Sequence, residues 1–352
     1  MLEEGDSGKV GESRKVSNRR FQIYISGSAF KAFNSRPETR NPKLTFPEVS
    51  MRYLTPQTIH PRIEYLGRQE MNVYLLKGEE YMIIEGGMGY IVPDMLRQFQ
   101  ERGINLDRIT RLLILHSHFD HCGIVPFFKR RLPGLKIIGS RRSQELYRKE
   151  KVIQFIRDRN REMIQFLKME KEAAELNLEF DQIAVDEAVG EGDTIDLGEG
   201  VEVRIIEMPG HSSCSIAAYV PSLRALFPSD AGGIPGEGKE IFPSGNEDFI
   251  LYQKSLEKLR PLDMDVICLA RNGAFLGQDA KEYVSRSVEE AEKMRLEIVR
   301  QFQGVPDPDE KLARLARERY GRLKTRDIPW DVYLGLMRGV VKKILQGEKK
   351  SQ

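Results

Sequence analysis

Apolar and polar positions alternate in short blocks along the middle of the chain. The runs 63–66, 72–76 and 81–84 predict strands, separated by turns that carry glycine and charge. Glu85-Gly86-Gly87-Met88-Gly89 interrupts the alternation, and a helix is predicted over 92–102. The apolar run 112–115 predicts a strand, 122–131 a helix, and 136–138 another strand beyond the Leu132-Pro133-Gly134 turn. Strands alternating with helices point to an α/β layered domain. Residues 141–176 read as one long charged helical stretch whose apolar positions include Ile153, Ile156, Met163 and Leu167. A second strand-rich block covers 182–185, 194–197, 201–207, 215–220 and 224–227, followed by a helix over 247–259 and a buried strand over 266–269. After Gly277 no strand pattern remains. Helices are predicted over 279–303, 309–320 and 330–346, the last opened by Pro329. The two strand blocks suggest two sheets facing each other.

Residues 1–50 follow neither pattern. They are rich in Ser, Asn, Lys, Arg and Pro, with nine basic residues against six acidic ones, and only 21–25 looks strand-like. This segment reads as a flexible N-terminal extension, its charge being too dilute for a strong case as a basic anchoring arm. Met51 opens the orderly part and is an alternative starting residue. The expected organisation is therefore an extension over 1–50, a main domain over 51–277 with a helical insertion at 141–176, and a C-terminal helical cap over 278–352.

Composition narrows the classes. With 40% hydrophobic and 31% charged residues, the chain has a soluble protein's surface and ample core. A net charge of +2 gives no electrostatic case for nucleic acid or an acidic membrane surface. No apolar run approaches the ~18–20 residues of a membrane span, and the N-terminus lacks a secretory apolar core. Three cysteines, Cys122, Cys214 and Cys268, make no disulfide framework, so a reducing cytoplasm is the default expectation.

The chemistry concentrates where strand 112–115 ends. His116-Ser117-His118-Phe119-Asp120-His121 holds three of the five histidines in the chain. Alternation puts His116 and His118 on one side of an extended segment, with Asp120 and His121 where the chain turns. Imidazoles and a carboxylate at a strand end suit a borderline cation such as Zn²⁺ or Fe²⁺, with Mn²⁺ also compatible. Two further polar marks follow strands: Pro209-Gly210-His211-Ser212 and Ser229-Asp230. Alone, His211 would be a structural histidine and Asp230 a turn residue. Joined to the cluster, both become candidate ligands.

This ordered series, His116-x-His118-x-Asp120-His121, then Gly210-His211-Ser212, then Ser229-Asp230, resembles the motifs of the metallo-β-lactamase superfamily over roughly residues 60–277. The resemblance implies an αββα sandwich with a metal site at the edge between two sheets. Within that superfamily, Glu85-Gly86-Gly87, His121-Cys122-Gly123-Ile124-Val125-Pro126 and the helical tail look like the quinolone-signal-response and acyl-thioesterase-like branch. One metal would then be held by His116, His118 and His211, and a second by Asp120 and His121 with Asp230 bridging. Most members place another histidine after the last core strand. Here that position falls on Asn272, a weak amide donor.

The resemblance implies a metal-dependent hydrolase that uses a metal-bound hydroxide on an acyl thioester or ester, with Asp120 orienting the water and one or two ions per chain. A small acyl substrate is expected, coenzyme A-linked on the branch likeness, beneath a lid of the added helices. Arg141, Arg142 and Arg148 are candidates for phosphate contacts, although solvated charge is the blander explanation. A homodimer through the helical tail is the alternative use of its apolar face. The competing class is a regulatory or interaction protein whose second site is impaired by Asn272. Oxygen or nitric-oxide reduction at a di-iron centre would call for a flavin module, and no such segment fits these 352 residues.

Overall fold

Strands form where apolar runs can bury both of their faces. The computed structural model describes residues 51–305, 308–323 and 330–351, all within the unit Thr45–Gln352. The extension 1–50, its strand-like 21–25 and Pro329 lie outside the described residues. Strand β1 (Met51–Tyr53) is followed by β2 (Thr58–His60), β3 (Ile63–Arg68), β4 (Met71–Lys77) and β5 (Tyr81–Ile84). Helix α1 (Val92–Glu101) leads to β6 (Ile109–Ile114), α2 (Val125–Arg131) and β7 (Lys136–Ser140). Helices α3 (Arg141–Tyr147), α4 (Glu150–Phe166) and α5 (Glu170–Leu176) precede β8 (Glu187–Val189). The second half runs through β9 (Thr194–Asp196), β10 (Glu202–Glu207), β11 (Ile216–Val220) and β12 (Ala225–Phe227). A small pair, β13 (Ile234–Pro235) and β14 (Ile241–Phe242), precedes α6 (Phe249–Leu259), β15 (Val266–Cys268) and β16 (Ala274–Leu276). Helices α7 (Gln278–Phe302), α8 (Asp309–Leu323) and α9 (Trp330–Ser351) finish the described chain.

Among the described residues, two seven-stranded sheets result, in the orders β2-β3-β4-β5-β6-β7-β8 and β1-β16-β15-β12-β11-β10-β9. Strands β5 to β8 are parallel, as is β12 with β15, and the remaining pairs are antiparallel. Three apolar layers explain the architecture. Tyr74, Leu76, Leu113 and Leu115 face Val203, Ile205 and Phe227 between the sheets. The alternate residues Val73, Leu75, Leu112 and Ile114 pack outward against α1, α2 and α4. On the far side, Leu226, Ile267 and Phe275 meet α6, α7 and α9. A strand covered on both faces reads as a continuous apolar run, as β6 does. The fold is an αββα sandwich, extended by α7 to α9.

Several local expectations change. The single helix expected over 141–176 is three, because Lys149 is extended (φ −91°, ψ 113°) and Lys168 adopts φ 57° after α4. The expected strand 182–185 is not laddered. Asp186 instead accepts from the Ile137 amide at 2.8 Å, and pairing with β7 begins at Glu187. Strands β1 and β16, three residues each, were too short to show in the pattern. Among the described residues no helix is long and apolar enough to cross a membrane.

Candidate metal centre

The site forms where β6, β10, β12 and β15 end on one edge of the sandwich. Beyond β6, the Leu115 carbonyl accepts from the Ile216 amide at 2.9 Å, tying the two sheets together just before His116. The chain then turns through Phe119–His121, with the His121 amide bonded to the His118 carbonyl at 3.0 Å. The loop after β5 clamps this turn: Gly123 N donates to Gly87 O at 2.6 Å and Ile124 N to Gly86 O at 2.9 Å. So close an approach requires glycine, since a Cβ on Gly86 would lie 2.4 Å from the His121 carbonyl oxygen. From the outer side, Asn160 of α4 accepts from the Gly89 amide at 2.9 Å, and Phe155 packs on Phe119.

His211 arrives on the loop after β10. Its imidazole is oriented by the Ser244 carbonyl, which accepts from Nδ1 at 2.7 Å. A carbonyl can only accept, so Nδ1 carries the proton and Nε2 presents a lone pair. That Nε2 lies 3.3 Å from His116 Nε2 and 3.1 Å from His118 Nδ1. His116 Nδ1 in turn lies 3.2 Å from Ser229 Oγ. Burial, then the neighbouring imidazoles, push His116 well below its ordinary value; burial and His211 push His118 down to about 3. His211 is also lowered, chiefly by burial. Three neutral imidazoles with nitrogens turned on one another repel unless a cation sits between them. A Zn–N bond of ~2.0–2.1 Å in a tetrahedron gives N···N edges of ~3.3–3.4 Å. The donors therefore fit an ion.

A second group lies alongside. His121 Nε2 is 3.3 Å from Asp230 Oδ2 and 3.6 Å from Asp120 Oδ2, buried and without a hydrogen bond of its own. Its Nδ1 is held at 2.9 Å by Glu85 Oε2, a carboxylate 2% exposed at a residue with φ 78°. Burial opposes charge on His121, but Asp230, Asp120 and Glu85 outweigh it and raise its pKa well above the ordinary value. Burial likewise works against the Asp230 carboxylate, yet His121 and Arg271 hold its pKa well below the usual range.

All of the predicted histidines and aspartates thus meet in one place. His116, His118 and His211 form one group that could hold an ion, and Asp120, His121 and Asp230 another. Asn272 does not face them. It adopts φ 57°, and its amide nitrogen donates to the Pro235 carbonyl at 2.8 Å. Its neighbour Arg271 reaches the acidic pair instead, bonding Asp120 Oδ2 and lying 3.6 Å from Asp230 Oδ2. Glu85 and Arg271 are the site residues that sequence reasoning did not assign. The thiol of Cys122 donates to the His118 carbonyl at 3.4 Å, and burial pushes its pKa upward, as expected of a small inert neighbour. Arg141 and Arg142 pair with Asp193 and Glu145 on the surface.

Residues 67–271 match the family model of the metallo-beta-lactamase superfamily, which covers more than half of the chain. Hydroxyacylglutathione hydrolase GloC of Haemophilus influenzae is 26% identical over 191 residues, 53% of this chain and 79% of that protein. Ribonuclease J of Mycolicibacterium smegmatis is 36% identical over 66 residues, 19% of this chain and only 11% of the ribonuclease. Among solved structures, a metallo-beta-lactamase family protein of Thermus thermophilus superposes with a TM-score of 0.56 at 16% identity, covering 86% of this chain and 94% of its own. A Cronobacter sakazakii metallo-beta-lactamase with a HARLDQ motif gives 0.52 at 19% identity, covering 71% and 96%. These likenesses concern the fold. The chain belongs to the metallo-β-lactamase superfamily.

Proposed function

We propose that this member of the metallo-β-lactamase superfamily is a metal-dependent hydrolase of an acyl thioester or ester. The observation that carries the reading is the trio of imidazoles, with His211 Nε2 lying 3.3 and 3.1 Å from the nitrogens of His116 and His118, beside the Asp120–Asp230 pair. His116, His118 and His211 would hold the cation, and nitrogen donors suit Zn²⁺, Fe²⁺ or Mn²⁺. When bound, such an ion supplies Lewis acidity and brings the pKa of a coordinated water towards ~7. The remaining work falls to the chain. The Ser244 carbonyl and Ser229 hydroxyl fix the two imidazoles they touch, which keeps donor lone pairs aimed inward. Asp120 is the most open carboxylate of the cluster, its side chain 13% exposed against 8% for Asp230, and it takes the role of orienting the attacking water. Cys122 and Cys214 have no part in the reaction.

The acyl reading draws on what adjoins the centre. A cavity lined by Ile234, Phe242, Met294, Tyr333, Met337 and Val340 lies between the β13–β14 pair and helices α7 and α9. Ser244 and Arg271 also line it, and both touch residues of the centre. An apolar cavity ending at a polar, metal-competent edge suits a substrate with a hydrocarbon part and a reactive carbonyl. The Haemophilus relative is named for hydrolysis of hydroxyacylglutathione, an acyl group on sulfur. The sequence likeness to the acyl-thioesterase-like branch points the same way, with coenzyme A as a second thiol carrier to try. The competing reading keeps the metal and the fold in a regulatory protein, and Arg271 at the acidic pair is the observation that favours it.

The test is release of free thiol or alcohol from a panel of glutathione and coenzyme A thioesters and simple esters. The metal-reconstituted chain should cleave at least one, with activity lost on chelation and restored by metal. If the fully metallated protein cleaves none while still binding its ion, the hydrolase reading falls and the regulatory one stands.

A further inference from the structure

Arg271 stands on the loop between β15 and β16, and that loop is fixed on both sides of it. Asn72 N donates to the Ala270 carbonyl at 2.8 Å, and Asn272 N donates to the Gln69 carbonyl at 2.8 Å. Asn72 Nδ2 and Tyr74 Oη both donate to the Leu269 carbonyl, at 2.8 and 2.7 Å. Gly273 closes the turn at φ 99°, where a Cβ would lie 1.9 Å from the Tyr53 carbonyl oxygen, so only glycine lets the strands meet there. The guanidinium, 3% exposed, is therefore delivered to a set place, where Nη1 also approaches the Glu70 carbonyl at 3.4 Å.

The atoms it addresses matter more than its burial. Asp120 Oδ2 and Asp230 Oδ2 are the oxygens nearest His121 Nε2, and they are the same oxygens that face Arg271. A second cation would need these oxygens and would come within contact range of a buried, permanently charged group. Two carboxylates attract a divalent ion strongly only while their charge is unanswered, and here a guanidinium already answers part of it. The first group consists of imidazoles alone and offers no carboxylate for a guanidinium to answer.

Resting on the metal-centre reading above, we infer that Arg271 takes the place of a second metal ion, so that the chain binds one ion, at His116, His118 and His211. Asn272 then has a purely structural task, supplying the left-handed turn residue that aims Arg271 inward.

The experiment is metal counting on the full chain. Stripped protein is loaded with excess Zn²⁺, freed of unbound ion and assayed for metal per chain, with calorimetric titration of Zn²⁺ alongside. The wild type should hold one ion. Arg271→His, which exchanges the guanidinium for a neutral donor, should hold two, with second-ion affinity raised on the order of 10–100-fold or more. Arg271→Lys, which keeps a cation in place, should stay at one. Two tight ions in the wild type would overturn the inference and leave the hydrolase proposal untouched. One ion in both the wild type and a folded Arg271→His would overturn it too, since the arginine would not be what excludes the second. No bound ion in the wild type would sink both readings together. Should Arg271→His fail to fold, the wild-type count still decides against or for a second ion.

Discussion

His118 and His121 stand three positions apart and serve different groups. His118 Nδ1 joins the imidazole trio, whereas His121 Nε2 turns to Asp230 and its Nδ1 to Glu85. With one ion per chain, the two residues have separable consequences. His118→Ala should weaken metal binding by at least about 10–100-fold, the loss that even an outer partner of a ligand causes. His121→Ala should leave the count at one and disturb Asp120 and Asp230 instead. Competition against a chromophoric chelator measures both, and an equal loss in the two variants would mean that the ion spans both groups. The histidines and aspartates of this site are legible in the sequence because they end apolar runs, which locates them at a sheet edge. Glu85 and Arg271 are not. Glu85 sits in a glycine-rich break, and its side-chain direction depends on a φ of 78°, which the sequence does not display. Arg271 is masked by Asn272, although Asn-Gly signals a left-handed turn residue and so frees the residue before it to point inward.

At the scale of elements, β4 does more than fill the middle of its sheet. Asn72 is 1% exposed and links β4 to the Arg271 loop and its surroundings through three bonds: its amide to Ala270 O, its side chain to Leu269 O, and its Oδ1 to the Tyr65 hydroxyl. Asn72→Ala keeps the amide bond but removes the shortest acceptor of the Tyr65 hydroxyl, which retains the Leu54 and Arg68 carbonyls at 3.3 and 3.5 Å, and half of the support of Leu269. A hydrogen bond lost while its partner keeps others costs roughly 0.5–1.5 kcal/mol. Urea denaturation of the metal-free chain should show a midpoint lowered accordingly, with an unchanged slope, since no core area is lost. An unchanged midpoint would mean that Tyr74 and the two backbone bonds suffice to anchor the loop. Long elements such as β4, β6 and α7 can be read from periodicity because packing on one or two faces imposes it. The breaks that split 141–176 into α3, α4 and α5 cannot. They depend on Lys149 and Lys168 leaving the helical region, and lysine itself is a good helix former.

The whole molecule divides its candidate ligands between two sheets. His116 and His118 follow β6 of one sheet, while His211 follows β10 and Asp230 follows β12 of the other. An ion at the edge is therefore a tie between halves, placed beside the backbone link from Ile216 to Leu115. The three apolar layers contain no part of the centre, so the sandwich should persist without metal. What metal adds is linkage: an ion that binds only the folded chain stabilises it by about 2.7 kcal/mol when free metal is 100 times the dissociation constant. At roughly 2–4 °C per kcal/mol for a large domain, chelation should lower the thermal midpoint by about 5–10 °C. The far-ultraviolet circular dichroism below the transition should be unchanged. Removing His211 should lower the loaded midpoint to that of the chelated wild type and make it insensitive to added Zn²⁺. A wild-type midpoint indifferent to chelator, in protein shown to have carried metal beforehand, would mean that the ion does not join the two sheets.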